Sequence, residues 1–339
     1  MGHMIDTSTG SAAIAYVGET PWHELGQQLE PGADVDTWRK AAGLNWEVLR
    51  APVVYRRPFA TPFGSQTIEQ EVPNRDVLYR SDTGAALSVV SRGYKIHQPA
   101  DIFAYFDSIA KAGEFELETA GALSGGGRIW ALARVGEGAK IIGQDRVDPY
   151  LLLATSYDGQ MTTTARFTSI RVVCHNTITA ALKVPVLGNK DPRIVSSLKL
   201  PHTAVFDARL ISEQLGIVTG AFGQFFDEAR KLAEVGVSDA VAEDLVAEVI
   251  LKFTSRPAHG RTLDVKSTRG YRRVMELFAG GALGSDLTGG KSAWQLLNAF
   301  TQYVDHERGR SADSRLTQAW FGEGEQMKNM AKDLLLGLV

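Results

Sequence analysis

Between residues 98 and 112 the apolar side chains Ile102, Phe103, Phe106, Ile109 and Ala110 recur at helical spacing. That spacing puts them on one face of an amphipathic helix. Pro99 suits its first turn, where a missing N–H costs nothing. Upstream, residues 47–55 read as a strand, and Pro52 argues for an edge or a bulge. Residues 75–80 and 86–90 pair around Asp82-Thr83-Gly84. Asp36 or Asp34 caps a short helix that runs through Ala42 and stops at Gly43. Residues 5–33 lack a sustained period and read as an arm.

Downstream the period is again two. Residues 115–122 and 128–135 alternate as strands around the glycine loop Ser124-Gly-Gly-Gly127, which reads as a hairpin tip. The apolar run 150–154 then leads through Asp158-Gly159 into a return strand over residues 160–173, the strongest short-range hairpin signal in the chain. Residues 176–183 follow with a helical pattern. From residue 203 the spacing becomes helical: 206–232, 239–253, 272–277, 293–303 and 327–338, with glycine pairs at 280–281 and 289–290 between them. The expected class is α+β: an antiparallel sheet with a β-β-β-α core in the N-terminal half, and a helical C-terminal half. The expected organisation is an arm over 1–33, a mixed α+β domain over 34–202, and a helical region over 203–339 that packs on it.

Composition adds little, but charge placement adds more. An apolar fraction of 44% and a charged fraction of 22% allow a sizeable core. The net charge of -3 is unevenly spread. Residues 6–50 hold seven acids against three bases. Residues 160–200 reverse this, with Arg166, Arg171, Lys183, Lys190, Arg193 and Lys199 against Asp191 alone. Residues 256–273 carry Arg256, Arg261, Lys266, Arg269, Arg272 and Arg273 against Asp264 in a glycine-punctuated, loop-like stretch. Such local patches attract a polyanion even on a mildly acidic molecule.

The return strand carries the same message. It holds Thr162, Thr163, Thr164, Arg166, Thr168 and Arg171 and no acid. Arginines give phosphates charge-assisted hydrogen bonds, and hydroxyls give neutral ones. Arg128 opens the neighbouring strand, and Tyr157, with Tyr94, offers a ring on which a base stacks, whereas Phe167 reads as a core residue.

Bond-making chemistry has little support in the sequence. There is no Gly-x-Ser-x-Gly elbow, no His-Glu-x-x-His and no acidic cluster of the kind two-metal nucleases use. Glu116 and Glu118 come nearest to a carboxylate pair. Cys174 and His175 are adjacent on a strand and point to opposite faces, so they would not share a metal. The expectation is no catalytic residue, no metal and no cofactor. A single cysteine fits a reducing compartment, and no run reaches the roughly 18 apolar residues of a membrane span. Met1-Gly2-His3-Met4 reads as a vector-derived remnant.

Several strings, taken in order, resemble a known family. They are Pro21-Trp-His-Glu-Leu-Gly26, Thr37-Trp38 with Ala42-Gly-Leu-Asn-Trp46, Thr119-Ala-Gly-Ala-Leu123, Ile170-Arg-Val-Val-Cys-His-Asn-Thr177, residues 294–306 from Trp294 to His306, and Ala319-Trp-Phe-Gly322. The chain resembles the phage/plasmid-like family catalogued as domain of unknown function 932, from about residue 18 to the C-terminus. That resemblance implies a phage, prophage or plasmid origin and a cytoplasmic setting in a bacterial host. The strand order from residue 128 to 183 is also similar to the β-β-β-α core of Rad-type single-strand annealing proteins. The function expected is a homo-oligomeric, phage-type single-stranded DNA-binding protein, with strand annealing in recombination as its further activity. The alternative is a phage protein that counters a host factor without binding nucleic acid.

Overall fold

The computed structural model describes residues 5–18, 25–61, 64–157, 164–171, 176–178, 197–199, 222–254, 263–309, 315, 318–320 and 322–339. The chain folds as α+β, with strands concentrated in the N-terminal half and helices in the C-terminal half. The short apolar strand β1 (Ile14–Val17) is buried, and it pairs in parallel with β2 (Gln27–Leu29). Both belong to the main sheet, so the segment expected as an arm is sheet instead. Asp34 caps α1 (Val35–Ala41) by accepting from the Thr37 amide at 2.8 Å, and Gly43 ends the turn at φ 69°.

Next come the long strands β3 (Val48–Thr61) and β4 (Gly64–Arg80), then β5 (Ala86–Ser91), which together form a three-stranded antiparallel sheet. Helix α2 (Pro99–Ala112) buries Ile102, Phe103, Phe106, Ile109 and Ala110, as its periodicity predicts. It packs against the main sheet at β6 (Glu116–Leu123) and β7 (Arg128–Arg134). Each large apolar side chain buried there is worth about 1.5–3 kcal/mol over exposure.

The main sheet continues with β8 (Ala139–Ile142), β9 (Asp145–Ser156), β10 (Thr164–Arg171), β11 (Asn176–Ile178) and β12 (Ser197–Lys199). Its order is β11-β10-β9-β7-β6-β1-β2, with β8 along β9 and β12 along β10. Every pairing except β1–β2 is antiparallel. β9 is an interior strand between β10 and β7 and is buried along nearly its whole length, which accounts for its unbroken apolar run.

The helix expected over 176–183 starts as strand β11. Thr177 and Ile178 are β-branched and pair with Ile170 and Ser169, and this edge pairing outweighs the helical pattern. Residues 179–183 lie outside the described residues, as does the Asp158-Gly159 turn.

The helical half contains α3 (222–234), α4 (Asp239–Lys252), α5 (Arg269–Glu276), α6 (Ala293–Gln302) and α7 (Glu323–Leu336). All ten residues of α6 are buried. Several contacts among the described residues fasten this half to the sheet, two of them through tryptophans. The Trp294 indole donates to the Asp145 carboxylate at 2.8 Å, and Trp130 of β7 meets Trp320 edge-on with ring centroids 5.8 Å apart. Among the described residues no helix is long and apolar enough to cross a membrane.

Candidate nucleic-acid interface

In an antiparallel sheet directly opposed residues share a face. Position 166 in β10 lies opposite Leu152 of β9 and Ser197 of β12, and position 164 opposite Ala154 and Lys199. Arg128 of β7 pairs with Ser156, two residues along the same face of β9 from Ala154. The register therefore gathers positions 128, 166 and 199 on one face, towards one end of the sheet. Position 171 is five residues from 166 in an unbroken register, so the pleat assigns it to the other face.

The hydroxyl row is corrected too. Thr164, Thr168 and Ser169 are buried, so they cannot track a phosphate chain in solvent. Threonine sits in this strand because a β-branched side chain packs well on a pleated surface. Tyr157, expected as a stacking platform, is 2% exposed and packs on Trp46 with ring centroids 5.9 Å apart. Burial pushes its phenol pKa up, and the ring is core.

The glycine loop does not stand out in solvent. Residues 124–126 make one 3₁₀ turn, and the Gly125 carbonyl accepts from Arg80 at 3.1 Å. A Cβ on Gly126 would come within 2.8 Å of the Trp46 ring, so glycine is required for this close approach. Arg80 organises the corner. Its guanidinium lies over Trp46, 4.5 Å from the ring centroid, and pairs with the carboxylates of Asp6 and Asp82. Burial pushes the Asp6 carboxyl up, but hydrogen bonds from Ser8 and Arg80 outweigh it and hold the pKa below its ordinary 3.8. For Asp82 the Arg80 hydrogen bond comes first, and it also leaves the pKa low.

A carboxylate whose pKa falls on folding adds stability that is present above its unfolded value and is lost as pH drops through the folded one. Stability should therefore begin to fall near 3.8 and decline further below it. Urea midpoints taken on either side of that value should show a smaller drop in Asp6→Asn than in the wild type. An equal drop in both would contradict this assignment.

Glu116 and Glu118 do not make a dyad. The β6–β7 register shifts between Leu117 and Thr119, and Glu118 is taken up by Arg134 and by the Tyr150 hydroxyl at 2.6 Å. Arg134 also donates to Asp148 at 2.8 Å. This network is a structural clasp across β6, β7 and β9.

In the described part of the second basic block, from residue 263 onward, turn and helix replace the expected loop. Lys266 lies in a 3₁₀ turn (Val265–Ser267), and α5 carries Arg269, Arg272 and Arg273. Lys266 is held by Glu243 at 2.6 Å, and Arg273 donates to both oxygens of Glu307 and to Glu276. Arg269 and Arg272 are exposed and three residues apart, hence on one side of the helix. Among the described residues no carboxylate forms an ion pair with either. Arg128 is half-buried and already engaged within the fold. Lys183, Lys190, Arg193, Arg256 and Arg261 lie outside the described residues.

The fold and its charges thus define an α+β protein with a largely antiparallel sheet, a helical half built around the buried α6, and two exposed cations on α5. Residues 86–320, about two-thirds of the chain, match the family described as Domain of unknown function (DUF932), and the chain belongs to that family. The match starts at β5, so the strings Pro21–Gly26 and Thr37–Trp46 precede it. No curated protein and no solved structure matches the chain.

Proposed function

We propose that this chain is a phage-type single-stranded DNA-binding protein that works as a homo-oligomer and anneals complementary strands in recombination. The observation that carries the reading is the pair Arg269 and Arg272, exposed on one side of α5 without a carboxylate partner among the described residues. Both follow directly from a stretch that adds Arg256 and Arg261 in sequence. Binding of this type is passive. Guanidinium and ammonium groups displace counterions from phosphates, bases stay accessible, and pairing with a second strand drives annealing.

The test is Arg269→Ala with Arg272→Ala. Both side chains are exposed, so the fold should survive. Losing two phosphate contacts should flatten the dependence of log affinity on log salt by about 1.4, at about 0.7 per contact for single strands. An unchanged slope and affinity would remove α5 from the interface. If the wild type binds no oligonucleotide but retains a host protein, the host-factor reading takes its place.

A further inference from the structure

Beyond Pro52, β3 and β4 leave the body of the protein as a two-stranded ribbon. The register from Val54↔Glu71 to Thr61↔Gly64 is regular, and β5 reaches only as far as Arg75. At its root the β3–β4 register shifts between Pro52 and Val54, and Asn74 adopts φ 57°. Arg50 and Arg92 hold Asp76 there, at 3.4 and 3.6 Å. The root is fixed, and the ribbon stands free of the core.

Its two faces differ. Opposed pairs place Tyr55 beside Gln70, Arg57 beside Ile68 and Phe59 beside Gln66, a face with one charge. The other face carries Val54, the Arg56–Glu69 ion pair at 2.8 Å, and Glu71. Tyr55 and Phe59 are 43% and 48% exposed, yet this is the pattern of a strand pair with one side packed. A two-stranded hairpin alone is marginal in water, so such a ribbon calls for a cover.

Charge argues against nucleic acid as that cover. The ribbon's two arginines are balanced by two glutamates, and Arg56 is already paired with one of them. A neutral ribbon of this kind suits protein, and two copies do not repel. Area argues for a second copy of this chain. A ribbon about 30 Å long and about 10 Å wide offers about 300 Å² per face. Covering the low-charge face of one arm buries about 600 Å² with its receiver, too little for a stable contact, whereas reciprocal exchange of two arms buries about 1,200 Å², the low end for one. A foreign protein that receives one arm obtains only the smaller figure. A closed two-fold exchange also satisfies both arms at once.

We propose that the β3–β4 ribbon beyond Pro52 is an exchange arm that docks on a second copy of this chain. The inference takes up the self-association in the proposed function and does not depend on DNA.

The test is sedimentation velocity of the full chain, free of nucleic acid, across the micromolar range. A Tyr55→Glu, Phe59→Glu double variant and a variant with residues 54–71 replaced by a short turn are run beside it. Circular dichroism checks the fold of both. The wild type should sediment as a dimer or larger, and both variants should self-associate at least tenfold more weakly. A monomeric wild type, or variants that associate as strongly as wild type, would overturn the arm. Oligonucleotide binding on the same samples separates the two claims. Intact association with no DNA binding removes the proposed function and leaves the arm standing.

Discussion

Arg80→Ala should destabilise the protein by about 3–5 kcal/mol, the range for breaking a buried ion pair from one side. The Arg80 side chain is fully buried, and Asp6 beside it is nearly so. Removing the guanidinium leaves the Asp6 carboxylate in the interior without its cation. It also takes away the donor to Gly125 and the cation over Trp46. The N-terminal segment, whose Asp6 amide bonds the Ala122 carbonyl, should loosen from the sheet together with the glycine loop. Arg80→Lys should recover little, because an ammonium cannot serve Asp6, Asp82 and a carbonyl in the fork geometry of a guanidinium. Pairing Arg80→Met with Asp6→Asn should recover part of the loss, since the stranded charge is then gone. Urea unfolding of the three variants measures each step. A wild-type midpoint for Arg80→Ala would show that the corner does not support the fold.

Lys328→Ala should cost a similar amount, about 3–5 kcal/mol. Lys328 extends from α7 to Asp305 at 2.7 Å, and both side chains are buried. Asp305 lies in the π-helical turn Tyr303–Glu307 that prolongs α6. The pair therefore joins the two helices that form the centre of the C-terminal half. Lys328→Met with Asp305→Asn should lie between wild type and the single variant. Thermal unfolding followed by circular dichroism decides the order, and a double variant less stable than Lys328→Ala would contradict it. Lys328 also explains part of the family string from Trp294 to His306. Trp294 and Asp305 anchor that string to the sheet and to α7, so its members serve the fold.

Much of this architecture is legible in the sequence wherever one physical rule acts alone. Ile102, Phe103, Phe106, Ile109 and Ala110 predict α2 because its buried face obeys the helical period. The hairpin of β9 and β10 follows from its apolar run and Asp-Gly pair, and α4 lies within two residues of its expected ends. The ribbon was hidden by Pro52, Pro58 and Pro73 and by a run of polar residues. Prolines are tolerated there because the outer edge of a two-stranded ribbon needs no donor. Gly270 disguised α5 as loop. A Cβ at that position would lie 2.9 Å from the Tyr303 hydroxyl, so glycine serves close packing inside a helix.

The candidate site was less legible, because hydroxyls and rings suited to a polyanion are equally suited to a sheet interior. Thr164, Thr168 and Tyr157 belong to that interior. Burial, which separates the two roles, is set by which element covers a strand, and strand composition does not carry that information. Arg269 and Arg272 stand differently, since helical spacing alone puts them on one side once α5 is known to be a helix.

The central claim is that exposed cations of this chain hold a single-stranded polynucleotide. Its most direct test is an anisotropy titration of the full wild-type chain against a labelled single-stranded oligonucleotide at low and at physiological salt. The account predicts saturable binding at low salt that weakens by about three hundredfold between about 50 and 200 mM if some six phosphates are contacted, at about 0.7 per contact for single strands. No binding at low salt, or an affinity that does not change with salt, would contradict it.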